Sequence, residues 1–187
     1  MKYFKKLVGE KVYLSPMNEE DSDKFVKWLN DFEVTDYTGR TDMIITLSEE
    51  KKWFENIGKE NLQFAIVTLE NDELIGTISL ENINNIFRTA ILGIFIGEDY
   101  ARNKGYGTDA IKLMLDFGFN YINLHNIKLT VFEFNERAKA CYKACGFVET
   151  GRRRKCMYVN GKYYDIILMD ILQEEFTESY IKNKAVK

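Results

Sequence analysis

A short glycine-containing loop carries the residues with the clearest capacity for chemistry. The apolar segment that ends at Gly97 is followed by "RNKGYG", residues 102–107, and then by an amphipathic helix. Because glycine has no side chain, Gly105 and Gly107 let backbone N–H groups at a helix N-terminus approach a diphosphate. The candidate contacts, with two positive charges and one hydroxyl among them, are Arg102, Asn103, Lys104, Gly105, Tyr106, Gly107 and Thr108.

Other interpretations compete for this loop. A Walker loop requires lysine directly after its last glycine, whereas Lys104 precedes Gly105, so the sequence excludes it. A dinucleotide-binding fingerprint fits "GYGTDA", and Glu133 ends the next predicted strand. That fold needs further strand–helix–strand units, but the chain continues into an antiparallel hairpin. An ordinary loop with solvated charges is the remaining alternative.

The composition is that of a soluble globular protein. The chain has 187 residues, of which 45% are hydrophobic and 29% charged, with a formal net charge of −3. This charge argues against general attraction to nucleic acid or to an anionic membrane. The basic "GRRRK", residues 151–155, lies on a predicted strand and lacks the aromatic platform of an RNA-binding surface. We expect neither a secretory signal nor a membrane span.

The cysteines and the histidine do not form a recognisable metal site. Cys141, Cys145 and Cys156 lie near one end of the chain, and the single His125 is remote from them. Zinc sites usually take about four such ligands in short paired spacings, so we expect no metal. An odd cysteine number without a disulfide framework favours the cytoplasm. His125 is expected in a surface turn.

The spacing of apolar residues predicts four helices. They span residues 17–30, 47–58, 107–122 and 135–145. Ser48 is the expected N-cap of the second helix, and Gly58 its stop. Asn135 and Gly146 are the expected N-cap and left-handed stop of the last helix.

Alternating apolar and polar residues predict seven strands, two of them flanking Asn160–Gly161, a strong signal for a tight hairpin turn. One strand–helix–strand crossover lies between antiparallel hairpins. We therefore expect an α+β fold with a mixed, mostly antiparallel twisted sheet of six to seven strands and helices on both faces. A single domain is expected over residues 1–172, followed by a polar, frayed tail over residues 173–187.

Two segments together resemble a known family. The loop at residues 102–107 and "NERAKACYKACGF", residues 135–147, are similar to the two signatures of the GCN5-related N-acetyltransferases (GNAT). The C-terminal "GRRRKCMYVNGKYYDIILM" is similar to the branch that contains ribosomal-protein-alanine and spermidine acetyltransferases. The resemblance covers nearly the whole chain and implies a GNAT-like fold.

The resemblance implies that the loop binds the pyrophosphate of acetyl-CoA, and that an amine attacks the thioester directly in a ternary complex. In the family, the pantetheine amides pair with the strand before the loop, which here ends with Ile94, Phe95 and Ile96. Gly93 permits a β-bulge in this strand, which we expect to turn an N–H toward the thioester oxygen.

The resemblance also implies catalytic roles on the last helix. Tyr142 matches the family tyrosine that protonates the departing thiolate, and Asn135 matches the asparagine that contacts the cofactor. Seven residues separate them, so both project from one side of the helix. The candidates for the general base, among which the sequence does not choose, are Glu81, Asn82, Glu133 and Tyr158.

Cys141 and Cys145 are one helical turn apart and raise the alternative of an acyl-cysteine intermediate. No histidine is near them in sequence to lower a thiol pKa, and buried cysteines commonly pack as small hydrophobic residues. We therefore expect direct transfer.

The expected function is acetyl transfer from acetyl-CoA to a primary amine. The acceptor stays open among a protein N-terminus, a polyamine, an amino sugar and an aminoglycoside. We expect the connection at residues 31–43 and the final hairpin at residues 158–164 to wall its channel. The alternative classes are a non-catalytic acyl-CoA-binding module and a nicotinamide oxidoreductase. We expect no nucleic-acid or membrane partner, and a homodimer is an open alternative.

Overall fold

The computed structural model describes residues 2–57 and 61–183. In chain order the elements are β1 (Leu7–Val8), β2 (Val12–Pro16), α1 (Ser22–Leu29), α2 (Phe32–Thr35), α3 (Leu47–Phe54), β3 (Leu62–Thr68), β4 (Leu74–Asn84), β5 (Thr89–Ile96), α4 (Tyr106–Asn120), β6 (Asn126–Phe132), α5 (Glu136–Ala144), β7 (Val148–Val159) and β8 (Lys162–Leu172). The strand β1 and the helix α2 were not predicted, because two and four residues are too short for a periodic signal. The predicted stop at Gly58 lies outside the described residues.

Within the described residues, eight strands form one sheet in the order β1-β2-β3-β4-β5-β6-β8-β7. All neighbouring pairs are antiparallel except β5–β6, which is parallel. The predicted mixed, mostly antiparallel sheet is confirmed, with one strand more than the expected maximum. Because a doubly wound fold requires successive parallel strands, this topology contradicts the nicotinamide-binding alternative.

Helices cover both faces of the sheet. Side chains of successive strand residues point to opposite faces, and in β2 the buried Val12 and Leu14 belong to one core while Tyr13 belongs to the other. The first core includes the inner side of α4, and the second includes residues of α1 and α3. The sheet therefore holds α4 on one face and the two early helices on the other.

Three of the predicted local signals are confirmed and one is wrong. The Asn135 side chain accepts the N–H of Ala138 as an N-cap (3.1 Å), and Gly146 follows α5 with φ of 96°. Asn160 and Gly161 both have positive φ in the β7–β8 turn, as a tight hairpin requires. The cap of α3 is Thr46 instead of Ser48, because Thr46 and Glu49 bond reciprocally in a capping box.

The parallel pair at the centre of the sheet is short. Strands β5 and β6 pair only from Thr89 with Asn126 to Ile91 with Lys128. Beyond Ile91 both strands continue, to Ile96 and Phe132, but they are no longer paired with each other. A wedge-shaped gap therefore opens between them toward the loop that follows β5.

The bulge predicted at Gly93 is wrong. Gly93 pairs with Ser79 in an unbroken register between β4 and β5, and the irregularity lies between Glu81 and Asn84. A Cβ at Gly93 would lie 2.8 Å from Ser79 Oγ and 3.2 Å from Glu81 Oε1. The glycine therefore makes room for two side chains of the neighbouring strand.

The expectation of a frayed tail is wrong for residues 173–183. The buried carboxylate of Asp116, on α4, accepts the N–H groups of Tyr180 (2.6 Å) and Ile181 (2.8 Å). Ile181 is 4% exposed and belongs to the core on the α4 face. The N–H of Lys182 then donates to the carbonyl of Val8 (2.9 Å). The segment is thus tied to α4 and to β1.

The helices of the described residues include none with the length and apolar character needed to cross a bilayer.

The docked tail predicts a measurable contribution to stability. Ile181→Ala should lower the free energy of unfolding by about 2 to 4 kcal/mol, because it leaves a cavity in the core. The exposed neighbour Lys182 provides the control. Lys182→Ala should change the free energy of unfolding by no more than about 0.5 kcal/mol. Urea denaturation measures both, and equal small effects would mean that the tail does not pack in solution.

Candidate active site

The loop after β5 presents a set of unused backbone donors. The N–H groups of residues 103–108 donate no hydrogen bond to any residue within 2–57 or 61–183. The N–H of Arg102 donates to Asp99 O, and the helical bonds of α4 begin with Asp109 N–H to Gly105 O, both at 3.0 Å. Asn103 and Gly105 adopt left-handed backbone, with φ of 60° and 81°. These amides lie at the N-terminus of a 15-residue helix, which favours an anion.

The loop is held from behind by the turn between β1 and β2. The buried carboxylate of Asp109 accepts the N–H groups of Glu10 (3.0 Å), Lys11 (2.8 Å) and Val12 (3.0 Å). The ammonium of Lys11 donates to Lys104 O at 2.8 Å. These contacts join segments nearly 100 residues apart, so no local sequence signal could have identified them.

The two glycines of the loop have different physical roles. Gly105 needs glycine for its positive φ, and a Cβ there would lie 3.1 Å from Lys11 Nζ. Gly107 lies in the first turn of α4, and the nearest atoms to a Cβ there, Cys141 Sγ and Ile96 Cγ1, are 4.0 Å away. Protein packing therefore does not require glycine at 107, and its Cβ would enter the adjoining cavity.

That cavity, the first cavity, has a volume of about 310 Å³. It is lined by Tyr142 and by every cofactor-binding residue predicted from the sequence except Lys104. Those lining it are Ile94, Phe95, Ile96, Arg102, Asn103, Gly105, Tyr106, Gly107, Thr108, Asn135 and Tyr142. The predicted connection at residues 31–43 also contributes to its lining, with Glu33, Val34, Tyr37 and Thr38. The lining residues that were not predicted for the site are Ala101, Ile111, Arg137, Ala138 and Cys141, the last of which was expected only to pack.

The basic side chains of the loop are largely engaged elsewhere. The Arg102 guanidinium is 2.8 Å from Asp99 Oδ1 and 3.7 Å from Glu33 Oε2, and its side chain is 10% exposed. The Lys104 ammonium lies over the ring of Tyr100, 5.6 Å from its centroid. Positive potential in the first cavity therefore comes chiefly from the backbone donors, supplemented by the nearby Arg137.

The last residues of β5 form an apolar seam between the cavity and the two cores. Ile94 and Ile96 pack against the core on the α4 face. Phe95 points to the opposite face, where its ring centroid is 5.9 Å from that of Trp28. All three are half-buried and border the gap between β5 and β6.

Tyr142 and Asn135 line both the first cavity and a second one next to it. The Tyr142 ring contacts Phe147 edge-on, with centroids 6.0 Å apart. Burial raises the pKa of the Tyr142 hydroxyl well above its ordinary value, and the thiols of Cys141 and Cys145 act in the same direction. The hydroxyl therefore keeps its proton at neutral pH and can act as an acid.

The two cysteines of α5 face the loop. Cys141 Sγ is 3.2 Å from Thr108 Oγ1, and Cys145 Sγ is 3.8 Å from Thr108 O. A hydrogen bond from Cys145, helped by the Thr108 hydroxyl, lowers the pKa of Cys141 from 9.0 to about 7. The pKa of Cys145 is raised by its hydrogen bond with Cys141 and by burial. Cys141 is thus the thiol with the higher thiolate fraction.

The second cavity has a volume of about 600 Å³ and lies between the early helices and strands β3 to β6. The connection at residues 31–43 contributes Tyr37, Thr38, Arg40 and Met43 to its wall, as predicted. No residue of the final hairpin, 158–164, lines either cavity, contrary to the prediction. The charged residues in its lining are Arg40, Glu49, Glu50 and Glu81, so carboxylates outnumber cations.

Among the four candidates for a general base, Glu81 alone lines a cavity. Its Oε1 accepts the hydroxyl of Ser79 at 2.8 Å. Asn82 has left-handed backbone at the irregular end of β4. Glu133 lies 3.8 Å from Arg152, and Tyr158 is 60% exposed.

The remaining sequence candidates lie away from the site. His125 is exposed, and its backbone N–H donates to the carbonyl of Arg88 at 2.6 Å. Arg152 of the basic "GRRRK" lies near Glu133, Glu149 and Asp165. Within residues 2–57 and 61–183, no three histidine, cysteine or acidic side chains are grouped closely enough to hold a metal.

Comparisons with known proteins agree on one family. The profile of the acetyltransferase (GNAT) domain matches residues 11–148. The probable N-acetyltransferase YjcK of Bacillus subtilis is 30% identical over 179 residues, which are 90% of this chain and 98% of that protein. The spermidine N(1)-acetyltransferase of Vibrio cholerae is 39% identical over 103 residues, 55% of this chain but only 59% of the relative's length.

A solved structure supports the same fold. The crystal structure of the Vibrio cholerae spermidine N-acetyltransferase in complex with CoA and spermine has a TM-score of 0.82 at 27% identity. The alignment covers 89% of this chain and 98% of that one.

The lowered pKa of Cys141 predicts its reactivity. In a Cys156→Ser background, alkylation of Cys141 by iodoacetamide should accelerate as the pH rises through about 7, because the thiolate is the reactive form. Cys145, whose pKa is raised, should stay unmodified. Peptide mass spectrometry at several pH values measures both, and a midpoint near pH 9 for Cys141 would contradict the prediction.

Proposed function

The chain belongs to the acetyltransferase (GNAT) family, and from this premise we propose that it transfers the acetyl group of acetyl-CoA to a primary amine, with a polyamine as the preferred acceptor. The observation that carries the proposal is the row of N–H groups at residues 103–108 that have no acceptor among the described residues. The enzyme class follows from the family, whereas the acceptor and the residue roles are the proposal.

The residues of the first cavity fit a diphosphate. Six consecutive amides, at 103–108, lack an acceptor within the part of the chain that the structure describes. N–H groups that converge at a helix N-terminus offer several donors to one anion. The space beside Gly107 lets an anion approach them closely. We infer that these amides bind the diphosphate of acetyl-CoA, with Arg102 acting mainly by tying the loop to α2 through Glu33.

The seam along β5 fits an extended ligand that carries amides. Beyond Ile91 the edge of β5 that faces β6 pairs with no other strand of residues 2–57 and 61–183, and Ile94, Phe95 and Ile96 line the gap. An extended amide chain can pair with such an edge as an added strand does. The pantetheine arm has this chemistry, so we infer that it lies along these residues and leads from the loop toward the second cavity.

The chemical step needs an acid and a base on the two sides of the reacting carbonyl. Acetyl-CoA, when bound, supplies an acetyl group activated as a thioester. Glu81 is the proposed base: its carboxylate takes a proton from the acceptor ammonium, directly or through water. The Tyr142 hydroxyl is the proposed acid and gives its proton to the departing sulfur. Both residues line the second cavity, which supports catalysis over passive binding of the cofactor.

The acceptor is proposed from charge. Carboxylates outnumber the single guanidinium in the lining of the second cavity, and such a site attracts an ammonium group before it is deprotonated. Relatives of this chain include spermidine acetyltransferases. A polyamine therefore has more support than an amino sugar, an aminoglycoside or a protein N-terminus.

The association of the chain into a homodimer or a larger oligomer stays a prediction.

The role of Gly107 can be tested by adding one methyl group. Gly107→Ala should weaken acetyl-CoA binding at least about tenfold, because its Cβ occupies space next to the phosphate donors. The fold should be unaffected or slightly more stable, since alanine favours a helix. Calorimetry with acetyl-CoA measures binding, and NAD should bind neither protein.

Gly105→Ala is the contrasting variant. It should lower thermal stability, because alanine is strained at φ of 81°. Unchanged acetyl-CoA affinity in both Gly107→Ala and the bulkier Gly107→Leu would refute the proposed location of the diphosphate.

The role of Tyr142 and the function as a whole can be tested in one assay. Thiol release from acetyl-CoA should depend on an added amine, with spermidine preferred over an amino sugar or a peptide N-terminus. Tyr142→Phe should lower kcat about 100-fold or more with little change in acetyl-CoA affinity, because it removes a general acid.

Cys141→Ala distinguishes the direct mechanism from an acyl-cysteine. It should keep most of the turnover, since direct transfer needs no protein thiol. An inactive but folded Cys141→Ala would overturn the direct mechanism, and the absence of thiol release with every amine would overturn the proposed function.

A further inference from the structure

One buried carboxyl group in the lining of the second cavity is incompletely hydrogen-bonded within the described residues. Glu50 lies on α3 and is 4% exposed. Its Oε1 is buried and has no hydrogen-bond partner within residues 2–57 and 61–183. Burial raises the pKa of Glu50, and the charge of Arg40 acts in the opposite direction. An unpaired buried carboxylate is destabilising, so its presence calls for a compensating group.

The helix itself does not use this carboxylate. The N-terminus of α3 is capped by Thr46 and Glu49, whose carboxylate accepts both the N–H (2.9 Å) and the hydroxyl (2.7 Å) of Thr46. Glu50 takes part through its backbone, with its N–H bonded to Thr46 O (3.0 Å). The two adjacent glutamates therefore differ: the carboxylate of Glu49 caps the helix, whereas the side chain of Glu50 lines the cavity and takes no part in the cap.

Glu50 shares the second cavity with the proposed catalytic residues. The cavity is lined by Glu50 from α3, by Glu81 from β4 and by Tyr142 from α5. The aromatic residues Tyr37 and Trp53 line it as well, and aromatic faces attract cations. A volume of about 600 Å³ is within the range of sites for small ligands.

We propose that Glu50 binds a second ammonium group of the acceptor, distal to the amine that reacts beside Glu81. This rests on the proposed function, and it makes Glu50 a specificity-determining residue of the acceptor site. The preferred substrate then carries at least two amino groups joined by an alkyl chain. The chain lies along the aromatic wall, one amine is held at each carboxylate, and the charge of the distal ammonium compensates the unpaired Oε1.

This assignment discriminates between acceptors of similar size. A monoamine supplies the reacting nitrogen but leaves Glu50 unpaired, so it gains nothing from that carboxylate. A diamine or triamine pairs with both carboxylates. Arg40, the cation of the lining, also acts on Glu50, so the distal ammonium competes with this guanidinium for the carboxylate. The geometry therefore favours linear diamines and polyamines over monoamines.

The test compares Glu50→Gln with wild type on matched acceptors. With saturating acetyl-CoA, kcat/KM for spermidine and for 1,4-diaminobutane should fall at least about tenfold, because the charge that pairs with the distal ammonium is lost. With butylamine, which has one amino group, kcat/KM should change by no more than about twofold. Glu55→Gln, an exposed glutamate at the end of the same helix, should behave as wild type on all three.

Two further measurements keep the outcome decisive. The melting temperature of Glu50→Gln should equal or exceed that of wild type, since an unpaired buried charge has been removed. Calorimetric titration of spermidine into the CoA-saturated protein should show weaker binding to Glu50→Gln than to Glu55→Gln. Equal losses for spermidine and butylamine, or no loss for either, overturn the role of Glu50. If no amine supports thiol release but spermidine binding still depends on Glu50, the proposed function fails and the binding site stands.

Discussion

The parallel pairing of β5 with β6 ends after Ile91, and the site depends on that early end. If the two strands stayed paired to their ends, the edge of β5 would be used up and neither cavity would have an opening between them. The separation leaves the backbone of residues 92–96 without a partner on one side while the antiparallel pairing with β4 keeps it straight. The same gap brings α4 and α5, which lie on either side of β6 in the chain, to its borders.

The two cavities differ in electrostatic character because their charges come from different sources. In the first, positive potential comes from peptide N–H groups fixed by the helix and by the Asp109 contacts, so it needs no side-chain rearrangement when a ligand enters. In the second, negative potential comes from side chains of separate elements. An anionic ligand and a cationic one are thus directed to opposite ends of one cleft, and Tyr142 lies where the two meet.

Sequence reasoning succeeded where the determinants are local. The Asn160–Gly161 turn and the Asn135 cap each depend on residues within a few positions of one another. The residues of the glycine loop lie together for the same reason. The prediction that the loop and the helix at residues 136–144 form one site came from their similarity to two signatures of one family. The periodicity of apolar residues does not show that the two segments lie together.

What sequence reasoning missed depends on residues far apart in the chain. Asp109 resembles any acidic residue in a first helical turn, and nothing near it indicates bonds to residues 10–12. The tail looked frayed because its sequence is polar, whereas two of its N–H groups bond to one buried carboxylate, Asp116. Glu50 resembles the other glutamates of its helix in sequence, and only the folded structure shows that its Oε1 is buried without a hydrogen-bond partner in residues 2–57 and 61–183. The tail has a consequence for the edge of the sheet, because Asn183 donates to the carbonyls of Lys5 and Lys6 and accepts from Val8. These bonds place the tail along the outer edge of β1, the first strand in the sheet order, where it occupies the N–H and the carbonyl of Val8 with which a strand of another molecule could otherwise pair.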